Sequence, residues 1–132
     1  MLKGSCLCSQ VAYEIDAPLG HVVHCHCATC RKAHSTAFSS VCRIPRDKFH
    51  VIRGETLLKA YESSPGKKRY FCTNCGSQIY AARENQDYIV LRLGCLDSKI
   101  TKQPKATHIW RSDAAPWYDP KELLPEFPEG VE

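Results

Sequence analysis

The chain has 132 residues, of which 43% are hydrophobic, and a formal net charge of +4. This length suits a single domain with one modest core, and no stretch approaches the roughly 20 apolar residues that span a bilayer. The first residues contain no apolar signal-peptide core, which predicts a cytoplasmic location.

Short strands dominate the predicted elements, because β-branched and alternating apolar residues recur between turn signals. In chain order the predicted strands are Val11–Ile15, His21–Cys27, Ser39–Ile44, Phe49–Ile52, Leu57–Tyr61, Arg69–Phe71, Gln78–Ala81, Tyr88–Leu93 and Thr107–Trp110. Pro, Gly, Asn and Asp mark the turns between them. This spacing indicates a mainly β fold, either a sandwich or an open barrel.

Helix signals are weak and confined to two segments. One or two helical turns are predicted for Thr29–Ala37, and another turn for Pro120–Leu124, where proline would occupy the first helical position. Residues 1–132 are predicted to form one domain. Within it, the proline-rich residues 112–132 should run over the surface as an extended tail anchored by Trp117 and Tyr118.

Charge is unevenly distributed along the chain. Residues 1–112 carry 17 Lys and Arg against 8 Asp and Glu, whereas residues 113–132 have a net charge of −5. Zinc would change the total, because four thiolates on one ion sum to −2 and three on another sum to −1. A loaded protein near +1 is not the polycation that nucleic-acid binding favours.

Nine cysteines are present, and seven of them fall in C-x-C or C-x2-C clusters. The close clustering, the odd number and the missing signal peptide favour metal ligands over disulfides. Zinc is the predicted metal.

The first cysteine set consists of Cys6, Cys8, Cys72 and Cys75, a complete ligand set for structural zinc. In an extended strand, Cys6 and Cys8 would point to the same face. Gly76 follows the second pair and allows a left-handed turn, which lets backbone N–H groups point at sulfur. Such a site would contribute folding free energy on the order of 10 kcal/mol. The alternative is a group of buried cysteines without metal.

The second set, Cys25, Cys27 and Cys30, lies within six residues. Three ligands without a fourth are typical of a catalytic or ligand-exchanging zinc site, whose open position holds water or a substrate thiol. Without metal, the same three thiols would be open to disulfide formation or oxidation. For the remaining cysteines, Cys42 and Cys95, core packing is favoured over a role as the fourth ligand.

Three histidines lie near the second set. His24 and His26 alternate with the cysteines along their predicted strand, so their side chains should face away from the sulfurs. His34 could return by a helical turn, but we do not favour it as a ligand.

The order of these motifs resembles that of the glutathione-dependent formaldehyde-activating enzyme family, which includes the centromere protein V type proteins. The resemblance runs from about residue 3 to 120. It is carried by Gly4-Ser5-Cys6-Leu7-Cys8, Cys25-His26-Cys27-Ala28-Thr29-Cys30-Arg31-Lys32, Gly54-Glu55, Tyr61, Phe71-Cys72-Thr73-Asn74-Cys75-Gly76-Ser77, Gly94-Cys95-Leu96-Asp97, His108-Ile109 and Trp117. A departure occurs at residues 33–36, where many members have a glycine.

The resemblance implies an Mss4-like β-tent of antiparallel sheets held together by zinc. It implies a structural zinc on the first cysteine set and an active-site zinc on Cys25, Cys27 and Cys30. The implied activity is that of a carbon–sulfur lyase that joins glutathione, as co-substrate, to formaldehyde and forms S-hydroxymethylglutathione. The alternative is a non-catalytic zinc-binding scaffold, because one fold can host enzymes and binding modules.

The carboxylates of glutathione would need cationic partners. The candidates that adjoin a cysteine motif are Arg31, Lys32, Lys67, Lys68 and Arg69. Arg31 is the preferred candidate, whereas Lys67-Lys68-Arg69 is interpreted as a solvated basic turn.

Overall fold

Ten strands and one α-helix make up the regular structure of residues 1–130, the part of the chain that this computed structural model describes. The strands are β1 (Leu2–Ser5), β2 (Ala12–Ile15), β3 (Val22–Cys25), β4 (Ser39–Pro45), β5 (Phe49–Arg53), β6 (Leu58–Ser64), β7 (Lys67–Cys72), β8 (Gln78–Arg83), β9 (Tyr88–Arg92) and β10 (Ala106–Ile109). The helix, α1, spans Ala28–His34. The prediction of a mainly β fold is confirmed.

The strands form a three-stranded and a seven-stranded sheet. The smaller sheet has the order β1-β2-β5 and is antiparallel. The larger sheet has the order β10-β3-β4-β9-β8-β7-β6. Its neighbours pair antiparallel except for β10, which pairs parallel to β3. A parallel pair needs a long connection rather than a hairpin, and the segment between β9 and β10 supplies it.

The core contains side chains from both sheets. Tyr13 and Ile15 of β2 are fully buried, as is Ile44 of β4. On β9, Ile89 and Leu91 are buried because alternate residues of a strand face the same side. Each such aliphatic side chain stabilises the fold by roughly 1.5–3 kcal/mol when it is buried.

The sequence analysis missed one strand and predicted one helix that is absent from the described residues. Strand β1 was not predicted because Leu2–Ser5 is short, and it forms through pairing with β2 and a bridge between Gly4 and Leu96. The predicted helix at Pro120–Leu124 is absent, and turns and bends replace it. A short isolated helix is not stable without packing, and Leu123 is 98% exposed.

Tyr118, one of the two predicted anchors of the segment after β10, packs against the rest of the protein. Ala115 is buried, and the Tyr118 ring lies 6.0 Å from the ring of Phe38. Trp117, which was predicted to be an anchor, is 69% exposed instead. Residues 131 and 132 of the predicted tail lie outside the described residues. None of the helices in the described part is long and apolar enough to cross a membrane.

Gly54 connects β5 to the turn before β6, and its φ of +76° favours glycine. A Cβ at this position would collide with the Gln10 carbonyl oxygen and lie 3.0 Å from the Cα of Val11. We expect Gly54→Ala to lower the free energy of unfolding by roughly 2–5 kcal/mol in urea denaturation. Gly20→Ala is the control, because Gly20 has open space around it, and it should change stability by less than about 0.5 kcal/mol. Equal free energies of unfolding for the Gly54→Ala and Gly20→Ala variants would contradict the prediction.

Candidate metal centres

The four sulfurs of the first cysteine set converge in space. The Sγ atoms of Cys6, Cys8, Cys72 and Cys75 all lie within 4.8 Å of one another. The Sγ atom of Cys8 is 3.5 Å from that of Cys6 and 3.9 Å from that of Cys72. Tetrahedral zinc with bonds of about 2.3 Å separates its sulfurs by about 3.8 Å. The donor set and its spacing therefore fit zinc.

Cys6 and Cys8 lie in a turn after β1, so the prediction that they share the face of a strand was wrong. The N–H of Ser9 donates to the Cys6 carbonyl over 2.9 Å, and Ser9 itself has a φ of +65°. The N–H of Val11 donates to the Cys6 Sγ over 3.3 Å. It is therefore the turn, and not strand alternation, that brings the two sulfurs together.

Cys72 and Cys75 flank the turn between β7 and β8, as predicted. Gly76 has a φ of +80°, and its N–H donates to the Cys72 carbonyl over 2.7 Å. Hydrogen bonds from the Ser77 side chain and backbone lower the pKa of Cys75 to about 5. Burial raises the pKa of Cys6 to about 11. A metal would stabilise the thiolate of Cys6, which burial alone disfavours.

The second cysteine set also converges. Cys25 ends β3, Cys27 precedes α1 and Cys30 lies in its first turn, and their Sγ atoms lie within 4.8 Å of one another. Cys27 is the N-cap of α1, and its Sγ accepts the N–H of Cys30 over 3.3 Å. The N–H of His26 donates to the Ile109 carbonyl over 3.0 Å, which joins this segment to β10.

Cys25 and Cys30 differ in acidity. Burial raises the pKa of Cys25 to about 12. Burial also acts to raise the pKa of Cys30, but neighbouring side chains, Arg69 among them, outweigh it and bring the value to about 7. The Arg69 Nη2 lies 3.8 Å from the Cys30 Sγ. A buried guanidinium therefore stabilises the thiolate form at this centre.

A cavity of about 620 Å³ opens over the second cysteine set. Apolar side chains such as Val23, Val41 and Val90 form much of its wall. Its basic lining residues are His21, Arg43, Lys67, Arg83 and Arg92, and no Asp or Glu lines it among the described residues. Trp110, 60% exposed and with a φ of +57°, stands at the same cavity. The cavity therefore favours anionic ligands.

The basic residues near the cavity differ in part from the predicted ones. Lys67 lines the cavity and Arg69 is only 3% exposed, so the interpretation of this segment as a solvated turn was wrong. Arg31 is half-buried on α1 and is not among the cavity-lining residues.

Arg92 was missed by the sequence analysis. It is only 5% exposed and it lines the cavity. Burial, followed by the nearby Arg69, lowers its pKa to about 10. The signal in the sequence that could have identified Arg92 is a charged residue at the end of an apolar strand.

The remaining cysteines and the histidines lie where the sequence predicted. Cys42 is buried in the core and Cys95 packs against it. The His26 Nε2 lies 2.7 Å from the His108 Nδ1, and the His24 Nδ1 lies 2.8 Å from the Ser40 Oγ. Both rings thus pair away from the sulfurs. His34 is outside both sulfur clusters of the described residues, and burial together with Arg92 and Arg69 lowers its pKa to about 4.

These features define a small, mainly β protein with one four-thiol and one three-thiol cluster, both at metal-ligand spacing. Residues 1–113 match the family described as glutathione-dependent formaldehyde-activating enzyme, and the chain belongs to that family.

Similar proteins come from three fungi. A "putative glutathione-dependent formaldehyde-activating enzyme" of Podospora anserina is 31% identical over 83 residues, which cover 61% of this chain and 39% of that protein. A Penicillium rubens protein of the same description is 24% identical over 128 residues, which cover 92% of this chain and 66% of that protein. An uncharacterised lyase of Schizosaccharomyces pombe is 32% identical over 83 residues, which cover 63% of this chain and 58% of that protein. The chain spans two thirds or less of the length of these relatives.

A solved structure has the same fold. The crystal structure of a Rhodobacter sphaeroides protein matches with a TM-score of 0.64 and 22% identity, covering 80% of this chain and 99% of that chain. At this identity the likeness shows the fold alone. The predicted Mss4-like β-tent is confirmed as a two-sheet, mainly β architecture.

We expect Cys75→Ser to lose one zinc ion per chain in native mass spectrometry and to lower the melting temperature. The physical reason is that an incomplete ligand set no longer ties the turn after β1 to the β7–β8 hairpin. Cys95→Ser is the matched control, since Cys95 lies outside both sulfur clusters of the described residues, and it should keep the wild-type zinc content. Equal zinc content in the two variants would refute the assignment.

Proposed function

We propose that this protein is a zinc-dependent carbon–sulfur lyase of the formaldehyde-activating type. It forms S-hydroxymethylglutathione, or a related thiol adduct, at Cys25, Cys27 and Cys30. The observation that carries the proposal is a three-thiol centre that opens into a basic cavity of about 620 Å³. Membership of the family supports it, and so do the descriptions of the fungal relatives.

Cys25, Cys27 and Cys30 would hold zinc through three thiolates and leave one position for an exogenous thiol. Zinc bound there supplies a Lewis acid that lowers the pKa of that thiol. The three thiolates alone would make the centre net negative and weaken its attraction for a further thiolate. Arg69, 3.8 Å from the Cys30 sulfur, offsets this charge.

The reaction joins the glutathione sulfur to the carbonyl carbon of formaldehyde. A carbon–sulfur bond forms and the π electrons of the carbonyl move to oxygen. The thiol loses its proton, and the oxygen takes up one proton to become the hydroxyl group. The apolar walls at Val23, Val41 and Val90 hold the reactants away from bulk water. Keeping the two reactants in one cavity removes the entropic cost of their encounter from the chemical step.

Arg31 is the proposed partner for a glutathione carboxylate. It follows Cys30 on α1, and its Nε is buried without a hydrogen-bond partner among the described residues. The wider proposal comprises one domain over residues 1–132 with residues 112–132 as its tail, a cytoplasmic location, and a small thiol such as glutathione as the partner.

We expect wild-type protein to accelerate the exchange between glutathione, formaldehyde and their adduct, and Cys27→Ser to abolish the acceleration. Exchange NMR measures the rate directly. Serine also accepts hydrogen bonds as an N-cap, so circular dichroism should show an unchanged fold. A rate equal to that of the spontaneous reaction in wild-type protein would refute the proposal.

Arg31→Gln should raise the KM for glutathione about tenfold and change kcat less, because a charge-assisted hydrogen bond is lost in the ground state and the transition state alike. Lys32→Gln is the matched control, since it removes the same charge from an exposed neighbour on α1. If both variants shift KM equally, Arg31 makes no specific contact with the substrate.

A second candidate function is a non-catalytic zinc scaffold that binds a protein or another ligand. The observation that favours it is the exposure of large apolar side chains after β10. They are Trp110, Trp117, Leu123, Leu124 and Phe127. This candidate would be preferred if the protein held both zinc ions and left the exchange rate unchanged.

A further inference from the structure

Two buried arginines lie beside the three-thiol centre with unpartnered N–H groups. Arg69 is 3% exposed and Arg92 is 5% exposed. The Arg69 Nη1 and the Arg92 Nε and Nη2 are buried and have no hydrogen-bond partner among the described residues. Buried polar groups are paired in the great majority of native proteins, and an unpaired buried charge is strongly unfavourable. These donors therefore indicate a missing partner.

The described part of the chain offers no carboxylate for this role. Its two ion pairs, Lys3–Glu14 and Arg111–Asp119, both lie elsewhere. The cavity wall contains no acidic residue among the described ones, and Lys67 is one of its basic residues. An anionic partner for these arginines would therefore come from a bound ligand.

Charge arithmetic indicates one further anion in addition to the thiol. Lys67, Arg69 and Arg92 carry three positive charges, whereas three thiolates on zinc carry one negative charge. A substrate thiolate adds a second negative charge, which leaves one positive charge uncompensated among these three cations, and Arg43 and Arg83 of the cavity wall add further positive charge. Formaldehyde is neutral and cannot supply the missing charge.

We propose that Lys67, Arg69 and Arg92 form a binding site for one substrate carboxylate, immediately beside the three-thiol centre. Guanidinium groups bind carboxylates through paired N–H donors. Arg92 lines the cavity and has such a pair without a partner, Nε and Nη2, and Arg69, which does not line the cavity, adds positive charge beside Cys30. The carboxylate belongs either to the thiol substrate or to the carbonyl co-substrate, which would then be an oxo acid. The inference rests on the proposed function for its substrates, but the anion site itself can be tested without any reaction.

The first test is the binding of acetate and inorganic phosphate to zinc-loaded protein at constant ionic strength in chloride. Calorimetry should give one saturable site per chain, and the Nε–Hε signal of Arg92 should shift in NMR spectra. Lys67→Gln should weaken binding at least tenfold. Lys68→Gln removes the same charge from the neighbouring position, which does not line the cavity, and should bind as wild type does.

The proposal is overturned if neither anion binds saturably, since water would then satisfy the arginines. It is equally overturned if Lys67→Gln and Lys68→Gln bind alike. Arg92→Lys provides a second variant that keeps the buried charge but loses the paired donors, and it should also weaken binding.

The second test separates the two sources of the carboxylate by displacement of bound phosphate. Displacement by glutathione but not by its diethyl ester assigns the site to the thiol substrate. Displacement by glyoxylate, with glutathione binding alongside phosphate, assigns it to the carbonyl co-substrate. If no compound displaces phosphate, the site does not serve a substrate and the proposal fails.

The two proposals fail in distinguishable ways. An unaccelerated glutathione–formaldehyde exchange with intact phosphate binding would refute the proposed lyase and leave the anion site in place. Accelerated exchange without anion binding would refute the anion site and leave the proposed lyase in place.

Discussion

The convergence of four sulfurs is the constraint on which the rest of this structure depends. The turn at Cys6–Cys8 belongs to the small sheet, whereas Cys72 and Cys75 close the β7–β8 hairpin of the large sheet. Their sulfurs lie at the separation that tetrahedral zinc requires. A chain of this length has a modest core, so a metal link between its two sheets would supply folding free energy that the core alone does not.

The second centre differs from the first in its surroundings as much as in its ligand number. The first centre lies between two turns, one of which supplies the Val11 N–H to Cys6 and the other the Ser77 groups to Cys75. The second lies at the end of a cavity, next to the buried Arg69 and Arg92. Cations beside thiolates make the centre less negative, and three of the arginine nitrogens have no hydrogen-bond partner among the described residues. The two centres thus differ in their electrostatic surroundings.

Much of the fold could be predicted from local pattern, and the failures have local causes. Strand β4 was predicted almost to its ends because alternating apolar residues indicate a half-buried strand. Strand β1 was missed because pairing with β2, rather than its own residues, stabilises it. The helix at Pro120–Leu124 was predicted from a favourable first residue, but it lacks an apolar surface to pack against.

The sequence by itself determined which cysteines belong together, because C-x-C and C-x2-C spacings limit the positions that two sulfurs can reach. It also determined that His24 faces away from Cys25, since strand residues alternate. Only the tertiary structure decided which cations reach the three-thiol centre. Arg69 and Arg92 lie on two strands, β7 and β9, that are separated by β8 in the large sheet. Strand order and burial bring both to the three-thiol centre, and neither property is encoded in local spacing.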